Sequence, residues 1–218
     1  MRTERRSFAL GLAFAIIACP TLALDWTRRD LAVAARPLQR SLDAQFTFRN
    51  GAAQPVTIRA VRTNCDCLEA ATDKTTYAPG ESGTLVARFT TGDRIGLYER
   101  AVEVITSESD TPVRLVVRID VPAPATVTPV NLLWPIGAEG SAKPVEIRVA
   151  DGVEIDFSET FATNDRFATR LETITPGRHY RVHVTPAATG EFANAAIRIS
   201  GRARNGDPVV VSAYANVR

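Results

Sequence analysis

Short runs in which apolar and polar residues alternate recur every dozen or so positions along most of the chain, bounded by Gly, Pro, Asn and Asp. A period of two belongs to a strand with one face on a core. The 3.6-residue period of an amphipathic helix is nearly absent, so the chain reads as all-β. The clear runs are 44–49, 55–62, 83–89, 98–105, 113–121, 144–149, 167–174, 180–185, 195–200 and 209–217. Leu115-Val116-Val117 opens one of them as a continuous apolar stretch that then alternates, as a strand entering from a sandwich core would. Asn50-Gly51 and Asn205-Gly206 are dipeptides that accept positive φ, and each is expected to close a hairpin or tight corner.

Pro122-Ala123-Pro124-Ala125 interrupts the pattern with two residues that cannot donate to a ladder, so residues 123–125 read as a short stiff linker. It separates residues 24–122 from residues 126–218, and each piece has the size and strand number of an immunoglobulin-like β-sandwich. An internal repeat supports the division. Residues 112–121 align with 208–217, and the two runs within 85–104 align with those within 180–199. The expected architecture is two tandem immunoglobulin-like sandwiches of one type.

Residues 1–23 have the layout of a secretory signal: Arg2, Arg5 and Arg6, an apolar run from Phe8 to Ala18, then Thr21 and Ala23 at the positions a signal peptidase needs. Cleavage is expected after Ala23. The run of about 11 residues falls short of the roughly 20 needed to span a bilayer, and no later segment comes close. Two variants of this reading stand beside it. Arg5-Arg6-Ser7-Phe8 resembles a twin-arginine signal, and Ile16-Ile17-Ala18-Cys19 resembles a lipobox, which would make Cys19 a lipidated anchor. The protein is therefore expected in the periplasm or outside the cell, with lipid anchoring in the envelope as the alternative.

Charge sharpens this picture. The whole chain has 26 basic and 24 acidic residues, but the signal holds three Arg and one Glu, so the remainder is formally neutral. The arginines are scattered singly and form no basic stripe. A nucleic-acid partner is not expected, and a protein partner recognised by shape or sheet edge is.

Beyond the signal only two cysteines remain, in Thr63-Asn64-Cys65-Asp66-Cys67-Leu68. This is no disulfide scaffold, which needs several spaced pairs. In an extended strand residues i and i+2 lie roughly 6.5–7 Å apart, so a disulfide here requires a bent backbone. Three roles stay open: a structural pair, thiol exchange, or a two-thiolate site for a soft ion such as Cu(I). Asp66 between the cysteines argues against a highly reactive thiolate. A copper centre of the cupredoxin kind would want Met and His, yet no Met follows the signal, and His179 and His183 sit about 13 Å apart along a predicted strand. Cys65 and Cys67 are thus weak metal candidates, and no cofactor is expected. Nucleophile elbows, phosphate-cradling loops and His-Glu-x-x-His are absent from the sequence, so an enzyme is not expected. Trp134, Tyr180 and Phe192 read as core or linker packing.

In order, Phe46-x-Phe48-x-Asn50-Gly51, Pro55-Val56-Thr57-Ile58, Asn64-Cys65-Asp66-Cys67, Tyr77-Ala78-Pro79-Gly80-Glu81 and Phe89 make a pattern over residues 42–121. It resembles the bacterial "domain of unknown function 1573" family. The resemblance implies an exported protein with a sandwich similar to the ASPM/SPD-2/Hydin and major sperm protein group, and no agreed activity. The family usually reads Ser-Cys-Gly-Cys, where this chain has Asn64 and Asp66. The sequence thus points to a non-enzymatic exported binding or scaffolding protein. Its contact region is expected in the loop of Asn64, Cys65, Asp66 and Cys67, beside residues 90–96. The alternative is a thiol-redox or Cu(I)-handling periplasmic protein.

Overall fold

The computed structural model describes residues 24–218. The expected export signal, its expected cleavage point at Ala23 and the lipobox-like Cys19 lie outside the described residues. The first half contains β1 (Leu24–Trp26), β2 (Asp30–Ala34), β3 (Ser41–Asn50), β4 (Val56–Thr63), β5 (Leu68–Thr72), β6 (Thr76–Tyr77), β7 (Ser82–Thr90), β8 (Gly96–Thr106) and β9 (Ser109–Val121). The second contains β10 (Ala125–Thr128), β11 (Asn131–Trp134), β12 (Lys143–Val149), β13 (Ile155–Ala162), β14 (Phe167–Thr175), β15 (His179–Pro186), β16 (Ala193–Ala203) and β17 (Pro208–Val217). All ten runs read from alternation coincide with strands. In β3 the alternation is complete, with Leu42, Ala44, Phe46, Phe48 and Asn50 turned inward and every residue between them exposed. Among the described residues no helix is long and apolar enough to cross a membrane.

The first half forms two sheets, β1-β3-β7-β5 and β2-β9-β8-β4-β6, and the second forms β10-β12-β15-β14 and β11-β17-β16-β13. Inward residues of each sheet pair meet in one core per half, the first reaching from Leu24 to Val121 and the second from Ala125 to Val217. The strand orders are the same, with β6 the one addition. Each half even closes with the same parallel pair, β2 on β9 and β11 on β17. Two tandem β-sandwiches of one type are therefore what the chain builds, as the internal repeat implies.

The addition of β6 has a packing cause. Register places Gly83 opposite Phe48 and Tyr180 opposite Ile147, which are equivalent sites in the two halves. A Cβ on Gly83 would lie 2.3 Å from the Tyr77 ring and 2.5 Å from Phe48. The missing side chain makes room for Tyr77 of β6, whose ring meets Phe48 edge-on at 4.8 Å. In the second half Tyr180 supplies its own ring and meets Phe157 edge-on at 5.4 Å. Both halves bury one tyrosine by different routes.

Several expectations need correction. Gly206, at φ 87°, turns β16 into β17 as expected, but Gly51 is not at positive φ. There Asn50 is buried and organises the corner instead, donating to Gln54 and Tyr77 carbonyls and accepting from the Ala52 amide. Ala125 does not end the linker; it starts β10, pairs with Val149 and is buried. Trp134 and Tyr180 are core residues, whereas Phe192, in the turn just before β16, is 62% exposed and packs in neither core. The junction between halves is more than a linker. Leu38, at φ 63°, reaches from the β2–β3 loop to the second core, and Arg40 pairs with Asp207 at 3.1 Å.

Candidate functional site

The cysteines sit at the corner between β4 and β5. The chain leaves β4 at Thr63 and turns, so the extended spacing that would part the sulfurs does not apply. Cys65 and Cys67 are joined in a disulfide, with S–S 2.09 Å and Cα atoms 5.3 Å apart. Backbone contacts hold the bend: the Leu68 amide donates to the Cys65 carbonyl at 3.2 Å, and the Thr90 amide to the Cys67 carbonyl at 2.9 Å. Asn64 Oδ1 accepts from the Ala101 amide at 3.1 Å and ties the corner to β8. The expected neighbour loop, residues 90–96, begins at that Thr90 contact, so the structure brings the two segments side by side.

The sulfurs are not equivalent. Cys67 faces the core and is 8% exposed, while Cys65 is half-buried and Asp66 exposed. Arg100 on β8 donates from Nε to Cys67 Sγ at 3.3 Å. It is fixed there by a second bond, from Nη1 to the Glu99 carbonyl at 2.8 Å, and by the Tyr98 ring, 5.2 Å from the guanidinium carbon. Sequence reasoning missed Arg100, one of many single arginines on alternating strands. Only the turn of the corner toward β8 brings it to the sulfur.

The sulfurs are joined to each other, so a Cu(I) ion would need the pair reduced. Among the described residues no three His, Cys, Asp or Glu side chains converge as metal ligands. As a brace the bond is weak: closing so short a loop removes only about 1.5 kcal/mol of chain entropy, half the value for a 15-residue loop.

The equivalent corner of the second half runs Thr163-Asn164-Asp165-Arg166-Phe167, between β13 and β14. It makes the same backbone contacts, Phe167 amide to Asn164 carbonyl at 3.2 Å and Ala187 amide to Arg166 carbonyl at 2.7 Å. Asn164 again ties the corner to the next strand, here by donating to the Asn194 carbonyl at 3.0 Å. It is one residue shorter and has no cysteine.

A second feature lies on the first half. β2 is the outer strand of its sheet, and a groove of ≈ 470 Å³ on the sheet face runs across β9 from β2 to β8, lined by Ala32, Ala34, Leu97, Tyr98, Glu99 and Arg118 among others. Leu97 is 82% exposed and Ile95, on the neighbour loop of the cysteine corner, 54%. The Ala35 amide donates to the Asp120 carbonyl. By the alternation of a parallel ladder, the amides of Ala32 and Ala34 then face away from β9, toward the open edge.

The two histidines belong elsewhere. On the outer face of β15, His179, Arg181 and His183 alternate with carboxylates from both neighbouring strands. His179 meets Glu146 at 2.6 Å, Arg181 meets the same Glu146 at 2.6 Å, and His183 meets Glu172 at 2.8 Å. Each histidine has its own carboxylate, so the row is a cross-strand ladder of hydrogen-bonded polar pairs. The Arg181 hydrogen bond, against the opposing effect of burial and with help from His179, holds Glu146 below its usual carboxylate value. His183 does the same for Glu172.

Residues 24–121 match the family described as "Protein of unknown function (DUF1573)", the family that the motifs around Cys65 and Cys67 resemble. No curated protein matches the chain. Solved structures similar to it include the VesB protease of Vibrio cholerae, at 16% identity over 45% of this chain and 32% of that one, with a TM-score of 0.36. A protein of unknown function from Porphyromonas gingivalis W83 is 11% identical over 88% of this chain and 99% of that one, with a TM-score of 0.34. The E. coli chaperone DraB is 10% identical over 87% of this chain and 95% of that one, with a TM-score of 0.35.

Proposed function

We propose that this is a non-enzymatic binding or scaffolding protein, exported to the bacterial cell envelope, which takes a protein partner as an added strand on β2. The observation that carries the reading is the open β2 edge with its outward amides. Two outward amides offer an extended segment a ladder to join, and the small exposed side chains of Ala32 and Ala34 leave that edge uncrowded. The neutral charge of residues 24–218 suits a partner recognised by edge and shape. The signal-like residues 1–23 support export to the periplasm or beyond, with Cys19 as the anchor if the lipobox is used.

Pull-downs from envelope extract test this. Wild-type protein is expected to recover a partner protein that the Ala32→Pro variant loses. Proline there removes an outward amide and leaves the bonds to β9 in place. Recovery of no partner, or equal recovery by the folded variant, counts against strand addition at β2.

A further inference from the structure

We infer that Cys65–Cys67 is a thiol–disulfide exchange site with a fixed direction of attack: an incoming thiolate joins Cys65, and Cys67 leaves as a thiolate received by Arg100. The site does not use the outward amides of β2 and stands whether or not that edge binds a partner, although Tyr98 and Glu99, which hold Arg100, also line the groove that reaches β2.

Three observations carry it. The Arg100 guanidinium is within hydrogen-bond distance of Cys67 Sγ, and none of the hydrogen bonds or ion pairs of the described residues places a cation on Cys65 Sγ. A charge-assisted bond is worth most when the sulfur carries a full negative charge, which happens as the disulfide opens. The second is access. Cys65 is half-buried whereas Cys67 is 8% exposed, so the more exposed residue of the pair is the one without the cation. A good leaving sulfur and an accessible attacked sulfur are what exchange requires.

The third observation is the second half of the molecule. The corner of residues 163–167 makes the same backbone bonds without any cysteine. Backbone bonds of this kind hold the second corner without a covalent link, so the same bonds at 63–68 are expected to keep the bend when the disulfide opens.

In the exchange, RS⁻ attacks Cys65 Sγ along the S–S axis. The Cys65–Cys67 bond breaks, and its electron pair passes to Cys67 Sγ beside Arg100. A second thiolate then attacks the sulfur that came from the reductant, forms RSSR and releases Cys65 as thiolate. Two thiols are oxidised to one disulfide, the protein gains two electrons, and the two thiol protons end on Cys65 and Cys67 or in solvent. The reacting partner is any thiol that reaches Cys65, whether small or on a protein surface.

The test uses the folded full chain and reduced glutathione, with acid quench and alkylation of the remaining thiol. Peptide mass spectrometry is expected to find glutathione on Cys65 and the alkyl group on Cys67. Glutathione on Cys67, an even distribution, or reduction only after unfolding overturns the proposal. Arg100→Gln is expected to slow reduction by glutathione about tenfold, with part of the rate restored by Arg100→Lys. An unchanged rate in both folded variants overturns the role of Arg100. The mapping on wild-type protein decides the direction of attack even if a variant fails to fold.

Discussion

The corners at 63–68 and 163–167 occupy the same place in two sandwiches of the same strand order, and they differ in one residue of length and one covalent bond. Both keep Thr-Asn at the start, a backbone bond back across the turn and a bond from the strand alongside. The second corner puts Arg166 where the first puts Cys67, and Arg166 points outward to Glu191 at 3.5 Å. In the first the sulfur points inward and meets an arginine from β8. The shared features are what the turn needs, and the unshared ones are where function has room. Equivalent tyrosines teach the same lesson, since each half buries one ring but delivers it from a different strand.

The largest effect that tests the likeness of the halves is loss of those rings. Tyr77→Ala and Tyr180→Ala are each expected to cost about 3–5 kcal/mol, as other large aromatic truncations do. Calorimetry should show each loss in a different transition if the cores unfold separately. A single transition lowered by both would mean that the Leu38 and Arg40 contacts join the halves into one unit.

Next comes the bond itself. The Cys65→Ser/Cys67→Ser variant is expected to lose about 1.5 kcal/mol or less, confined to the first half, because the closed loop is short. A loss of several kcal/mol would show that the first corner, unlike the second, depends on its covalent link.

Acid provides the smallest distinction. A carboxylate whose pKa is lowered by folding contributes stability that is present above its unfolded value and is lost as pH falls through its folded value. Glu146 and Glu172 are both lowered from 4.5, so the ladder on β15 should weaken as pH drops below about 4.5. The first half has lowered carboxylates of its own at Asp43 and Asp73. The discriminating measurement is Glu146→Gln, which should flatten the acid dependence of the second transition and leave the first unchanged.

Much of the fold was legible because long strands with one buried face carry their own signal. Strands of two to five residues, β1, β2, β5, β6, β10 and β11, are too short for a period to register. Their place is decided by the strand they join. β13 was missed for another reason: its register slips between Phe157 and Glu159, and Phe161 beyond the slip is exposed, so alternation fails midway. At the site, the cysteine pair stands out in the sequence, but its disulfide depends on a turn that an extended reading does not contain. Arg100 is 33 residues from Cys67 and reaches it only through tertiary placement. Glu146 and Glu172 are found beside the histidines only once cross-strand register is known.

The parallel closing pairs have a mechanical consequence. In each half the strand near the start of the domain, β2 or β11, lies beside its last strand and runs the same way, over five and four residue pairs. Tension between the ends of such a domain pulls neighbouring strands past one another and loads those hydrogen bonds together, in shear. An antiparallel hairpin pulled at its open end parts one bond at a time. Each sandwich is thus built to bear stretch along the chain, and the tandem places two such clamps in series.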